Sequence, residues 1–187
     1  SEIGGYRVTD VKGDTLYTSG GAAVARANVS DRSYFQALRD NPKAELVFSE
    51  VVMGRTTGRQ VMAVARALTD TRGAFAGIVY GILELEHLQQ LFQALDIGSR
   101  GVIALRRSDN HALVVSHPNF AQAINKTLDA QHPVVQSLSG GKKLTTLQFA
   151  TQVDELERIV SIHALQQYPF YFAVGASRFE LSGVGPL

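Results

Sequence analysis

Cysteine is absent from the chain. That excludes disulfides, thiolate metal sites and cysteine nucleophiles, although it is compatible with an oxidising or a reducing compartment. A dense basic surface is missing as well. Eighteen Lys and Arg stand against seventeen Asp and Glu, and only Arg106-Arg107 and Lys142-Lys143 are adjacent basic pairs. A nucleic-acid footprint needs more positive charge on one face. No apolar run reaches the about 20 residues that span a bilayer. The longest candidate, "FAGIVYGIL", is far shorter and reads as a buried strand. No signal peptide or lipidation motif is present. The chain opens on "SEIGGYRV", directly into a strand, so an upstream segment is expected, as in a piece cut from a membrane protein.

Catalytic signatures are scarce too. "GGAAVARA" has the glycines of a phosphate loop but neither its lysine nor the Ser/Thr that follows. No nucleophile elbow, strand-linked GxGxxG or paired-acid constellation occurs. Histidines 87, 111, 117, 132 and 163 form no i, i+4 pair or other ligand spacing. No enzyme activity, metal or other cofactor is expected of this chain.

What remains is a chain of 187 residues, 45% hydrophobic, enough for one domain or two small ones with a real core. "YRVTDV" and "LYTS" flank Lys12-Gly13-Asp14, a hairpin signal. Ser30 or Asp31 is placed to cap a helix over 33–39 that stops before Asn41-Pro42. "ELVFSEVVM" gives one or two strands, "GRTTGR" a turn, and "QVMAVARAL" and "AFAGIVYGIL" two more strands. An amphipathic helix over 84–95 leads to "DIGSR" (96–100), the expected joint of the chain. Beyond it come the hairpin "GVIALRR"/"ALVVSHP", a helical or loop stretch, and strands "KLTTLQFATQ", "ERIVSIHAL" and "PFYFAVGAS".

The second series repeats the first. Leu16 and Leu113, Ser19 and Ser116, Ala67-Leu68 and Ala164-Leu165, and Phe75 and Phe172 all lie 97 residues apart. A tandem repeat is expected, with modules at 1–97 and 98–187. Each offers about five strands with helical segments on one side, an α+β arrangement of antiparallel sheets. The concave face of such a sheet is a place where small-ligand pockets form.

Six residues stand out as candidates for a ligand site. Arg32, Tyr34 and Phe35 cluster at the start of the first helix, either as core aromatics beside a surface arginine or as an anion clamp. Met62 and Arg66 share one face of an alternating strand. An arginine buried there needs an anion, either an internal acid such as Glu50 or a ligand. Tyr80 shares a strand face with Ile82. Arg55 and Arg59 flank a Thr-Thr-Gly turn and read as solvated.

The stretches "NVSDRSYFQALRD", "FSEVVMGRTTGRQVMAVARAL", "GAFAGIVYGILELEHLQQLFQAL" and "GSRGVIALRRSDNHALVVSHP" together resemble the double Cache (PDC, PAS-like) extracytoplasmic sensor domain. The flavour is that of sensors placed ahead of GGDEF diguanylate cyclases. The resemblance covers about residues 6–180. It implies two tandem PAS-like modules, with a ligand pocket in the first, membrane-distal one and a transmitting, membrane-proximal second one. It places the chain in the periplasm, between transmembrane helices, with a homodimer as a further implication. Amino-acid-binding members of the family grip a carboxylate with Arg-x-aromatic-aromatic, here Arg32-Ser33-Tyr34-Phe35. Two features depart from their pattern. Val29 stands where an aromatic is expected, and Ile82 at or near the place of the aspartate that takes the ligand ammonium. The expected ligand is therefore a small anion, a carboxylate above all. The alternatives are an interaction or dimerisation module with a vestigial pocket, and the sensor of a histidine kinase or chemoreceptor.

Overall fold

The computed structural model describes residues 3–19, 27–55, 58–151 and 154–177. Most of "GGAAVARA" and the centre of "GRTTGR" lie outside them. The chain divides into two compact units, Ser1–Glu86 and His87–Leu187. The division falls ahead of residues 96–100. That stretch is itself a built turn, in which the Gly98 N–H donates to Asp96 Oδ1 at 3.2 Å and the Gly101 N–H to the Gly98 carbonyl at 3.2 Å.

The first unit begins with the expected hairpin, β1 (Ile3–Thr9) and β2 (Thr15–Thr18). The Asp10 carboxylate closes its turn by accepting from the N–H groups of Lys12 and Asp14 at 2.8 and 2.9 Å. There follow α1 (Ser33–Asp40), β3 (Val47–Phe48), β4 (Val52–Met53), β5 (Gln60–Thr69) and β6 (Phe75–Glu84). The antiparallel sheet runs β2-β1-β6-β5-β3, with β4 also on β5. Helix α2 (Leu85–Gln93) continues from β6. The second unit holds β7 (Val102–Arg107), β8 (Leu113–His117), a 3₁₀ turn at Ala121–Ala123, α3 (Pro133–Ser139), β9 (Leu144–Ala150), β10 (Glu157–Ala164) and β11 (Phe170–Ser177). Its sheet runs β8-β7-β11-β10-β9. Two antiparallel sheets with three helices make an α+β fold.

The two sheets share their strand order, hairpin first and helix before the last strands. The constant residue offset is not kept. Ala65 pairs with Tyr80 across β5–β6, so an offset of 97 would pair Ile162 with Ser177. Instead Ile162 pairs with Ala173, and Ser177 with Arg158. The β10–β11 pairing is shifted relative to the β5–β6 one, although the two connections, residues 70–74 and 165–169, are equally long, which makes the Phe75/Phe172 match a coincidence of spacing. The first hairpin differs by one residue as well. Arg7 faces Thr18, whereas Ala104 faces Ser116 rather than Val115. A slip of one residue moves a side chain to the opposite face, so Leu16 and Leu113 are not equivalent.

Register also settles which face of β5 looks inward. Ala63, Ala65 and Ala67 lie beside Ile82, Tyr80 and Ile78. Val29, Tyr34, Phe35 and Leu38 pack on them and close the first core. Small residues on the strand leave room for the bulk that α1 brings. Met62, Val64, Arg66 and Leu68 point the other way. Arg66 is exposed, with no acid partner among the described residues. The expectation of a buried arginine at this position fails, because its face is not the one beneath the helix. Glu50 instead accepts from the Ser33 hydroxyl at 2.6 Å.

The fully buried arginine is Arg158, in the second core at 2% exposure. It donates from both terminal nitrogens to the Asp154 carboxylate, each at 2.6 Å, from Nη1 also to Thr151 Oγ1, and from Nε to the Arg100 carbonyl at 2.9 Å. This forked pairing satisfies the charge within the protein.

Candidate functional site

The first unit's candidate site is built around the entry to α1. The residue at the N-cap is Arg32, with extended backbone (φ −82°, ψ 139°) and no side-chain cap bond. Arginine has no acceptor to offer a helix N-terminus, where Ser, Thr, Asp or Asn are preferred. The two expected caps are engaged elsewhere. Ser30 donates to Asn28 Oδ1 at 2.6 Å, and the Asp31 carboxylate accepts from Arg55 at 2.5 Å. A residue that breaks a local rule without a compensating bond marks a functional position more often than a structural one.

Tyr34 is the second residue of α1, 5% exposed. Its ring lies 5.6 Å from that of Tyr80, tilted by 44°. Burial raises the pKa of the Tyr34 hydroxyl above its ordinary value, and the neighbouring Tyr80 adds to the rise. The cations of Arg32, Arg55 and Arg7 pull it back. Tyr34 is therefore a neutral phenol at pH 7 within the electrostatic reach of three guanidinium groups. Arg7 is the register partner of Tyr80 on β1, on the same face. Arg55 donates to the Asn28 carbonyl at 2.7 Å as well as to Asp31. Its charge is thus spent on an internal acid, and Asp31 is held below the usual carboxylate range by that bond. Among the described residues, the guanidinium groups of Arg7 and Arg32 have no acid or carbonyl partner.

The structure divides the six sequence candidates. It brings Arg32, Tyr34 and Tyr80 together. Phe35 shares their cluster but turns to Phe75, ring centroids 5.5 Å apart and edge to face, which makes it a core residue. Met62 and Arg66 lie on the opposite face of β5, away from the other four. Sequence reading missed Arg7, whose signal was its parity with a tyrosine across β1–β6. It also set Arg55 aside as solvated, although that side chain ties two loops together. Val29 and Ile82 both belong to the apolar cluster beside Tyr34 and Tyr80. The arrangement can therefore hold an anion and an apolar body. Two acids of this region, Asp31 and Glu50, are engaged by Arg55 and by the Ser33 hydroxyl.

No family model matches the chain, and no curated protein matches it. Solved structures do. The extracellular domain rpHK1S-Z16, attributed to a histidine kinase, superposes with a TM-score of 0.82 at 24% identity, over 98% of this chain and 74% of that one. The periplasmic sensory domain of the Campylobacter jejuni chemoreceptor Tlp1 gives 0.74 at 12% identity, over 100% and 75%. The ligand-binding domain of the Pseudomonas fluorescens chemoreceptor CtaA, in complex with L-isoleucine, gives 0.66 at 18%, over 97% and 71%. The chain has the fold of these sensory and ligand-binding domains. Among the described residues, no helix is long and apolar enough to cross a membrane.

Proposed function

We propose that this chain is an extracytoplasmic ligand-sensing domain of the double Cache type, which binds a small carboxylate in its first unit. In this reading it lies in the periplasm, anchored through flanking transmembrane helices, and relays binding to a cytoplasmic output. One observation carries the ligand class: Arg32 holds the N-cap position of α1 without a side-chain cap bond, two residues before Tyr34, whose ring packs on Tyr80. A guanidinium presents paired donors in the geometry of a carboxylate, and a phenol adds one more. The solved neighbours that carry isoleucine and GABA hold ligands with a carboxylate group. The apolar Val29 and Ile82 direct this chain toward carboxylates without an α-ammonium.

For the output, the resemblance favours a GGDEF diguanylate cyclase. A histidine kinase or chemoreceptor is the second reading, favoured by the names of the structural neighbours. An interaction module is a third, and it draws on the β1–β2 hairpin. Tyr6 and Tyr17 there are about half exposed and 5.7 Å apart, beside an exposed Leu16.

Arg32→Ser tests the carboxylate reading without the usual confusion between binding and folding. Serine is a good N-cap, so the variant should be as stable as the parent or more so, by about 0.5–1 kcal/mol. The lost charge-assisted bond should weaken propionate or 3-methylbutanoate binding about 10- to 150-fold. Calorimetric titration and thermal melting of both proteins check it. Unchanged affinity in a stable variant would remove Arg32 from the site.

A further inference from the structure

The second unit holds a partly open cavity of ≈ 80 Å³, where one water needs about 10–15 Å³. Val102, Leu113, Phe120, Leu128, Val134 and Phe149 give it apolar walls. Four polar side chains of note reach it: Arg106, Tyr171, His132 and Arg158. Arg158 is neutralised by Asp154, but Arg106 is not neutralised. Its Nη1 donates to the carbonyls of His111 and Lys126 at 2.8 and 3.4 Å. Among the described residues, no carboxylate pairs with it, and Nε and Nη2 have no acceptor. Burial depresses its pKa from the usual arginine value. Tyr171 is its register partner on β11, on the same face. That side chain is fully buried, and its hydroxyl has no hydrogen-bond partner. The His132 Nδ1 accepts from the Val134 N–H at 3.2 Å, which leaves Nε2 to carry the ring proton.

A guanidinium without a carboxylate and an unmet buried hydroxyl are both costly when a fold leaves them so. Both side chains line the same cavity. We propose that this cavity is a second ligand site that takes a short-chain carboxylate, with Arg106 and the Tyr171 hydroxyl on the carboxylate and the alkyl tail against the apolar wall. A tetrahedral oxyanion would press its remaining oxygens on hydrocarbon, whereas a carboxylate with a short tail matches both halves of the cavity. The placement echoes the first unit. His132 precedes α3 as Arg32 precedes α1, and each helix packs on its own sheet. The two sites are independent, since no residue is shared.

Formate, acetate, propionate and butyrate are titrated into the full chain carrying Arg32→Ser, so that the first unit does not contribute. Arg106→Met and Ala173→Val are then added singly. Arg106→Met should leave the melting temperature without ligand unchanged or higher, because it removes a half-buried guanidinium that no carboxylate pairs, and weaken the best-bound acid about 10- to 150-fold. Ala173→Val keeps the charge but narrows the cavity, and should shift preference toward the shorter acids. Three results would overturn the proposal: no carboxylate binding in the Arg32→Ser protein, unchanged affinity after Arg106→Met, or an Arg106→Met protein that fails to fold. Any of them leaves the first-unit site standing.

Discussion

Asp154→Ala is expected to destabilise the second unit by about 3 kcal/mol, the lower end of what orphaning a buried charge costs. The carboxylate itself is reachable by solvent, with a side-chain exposure of 28%, while Arg158 is at 2%. The cost therefore sits with the arginine, which keeps only Thr151 Oγ1 and the Arg100 carbonyl. Arg158→Met should be much milder, because it removes the charge together with its partner's task. The pair also fixes an acid limit. The bond from Arg158 holds the Asp154 carboxyl well below its ordinary value, helped by the Thr151 hydroxyl. A depressed carboxyl contributes stability above its unfolded value of about 3.9, lost as pH falls through the folded one. Acid unfolding of Asp154→Ala should accordingly show a weaker dependence on pH below about 4 than the parent. Urea melts of the three proteins at pH 7 and pH 3 decide it. Equal midpoints for Asp154→Ala and the parent would show that the fork contributes nothing.

Gly77→Ala should cost the first unit about 2–6 kcal/mol, from backbone strain and overpacking together. Gly77 has φ +138°, and a Cβ built there would lie 2.0 Å from the Thr9 carbonyl oxygen. The approach is fixed from both sides. Thr9 is buried, and its Oγ1 accepts from the Ile78 N–H at 3.2 Å, beside the shift in β1–β2 register at Val8/Thr9. No flexible side chain is there to give way, so the β1–β6 pairing itself must open. That pairing sets Arg7 opposite Tyr80, and the variant should lose carboxylate binding in step with stability. Gly73→Ala, in the adjoining turn with open space around it, is the control and pays only for its positive φ, about 1–3 kcal/mol. Similar melting temperatures for the two variants would contradict the close-approach account.

Strand order was legible from alternation and turn residues because each hairpin is short and each sheet antiparallel. The inward face of β5 was not. By hydrophobicity alone, Met62, Val64 and Leu68 outrank three alanines, yet the alanines face the core because Tyr34, Phe35, Leu38 and Tyr80 arrive from elsewhere in the chain. Arg66 was misplaced for that reason alone. The same parity argument would have found Arg158, which alternates with Val160 and Ile162, both buried. A 97-residue offset pointed to a shared strand order through matches that are partly accidental, since the register changes while strand order persists. The Arg32 and Tyr34 pair was legible through its resemblance to a known motif. Arg7 and Arg106 needed the register, because each becomes notable only beside the tyrosine that faces it.

The central claim is that the first unit recognises a carboxylate and ignores an α-ammonium. Matched ligands measure it directly: alanine, propionate and ethylamine, then valine, 3-methylbutanoate and 2-methylpropylamine. Each is titrated calorimetrically into the parent and into Arg32→Ser, and the difference between the two proteins is read. In both series the acid should show Arg32-dependent binding, the amine none, and the amino acid no gain over the acid. Arg32-dependent binding of the amino acids that disappears with the amino group would contradict the claim.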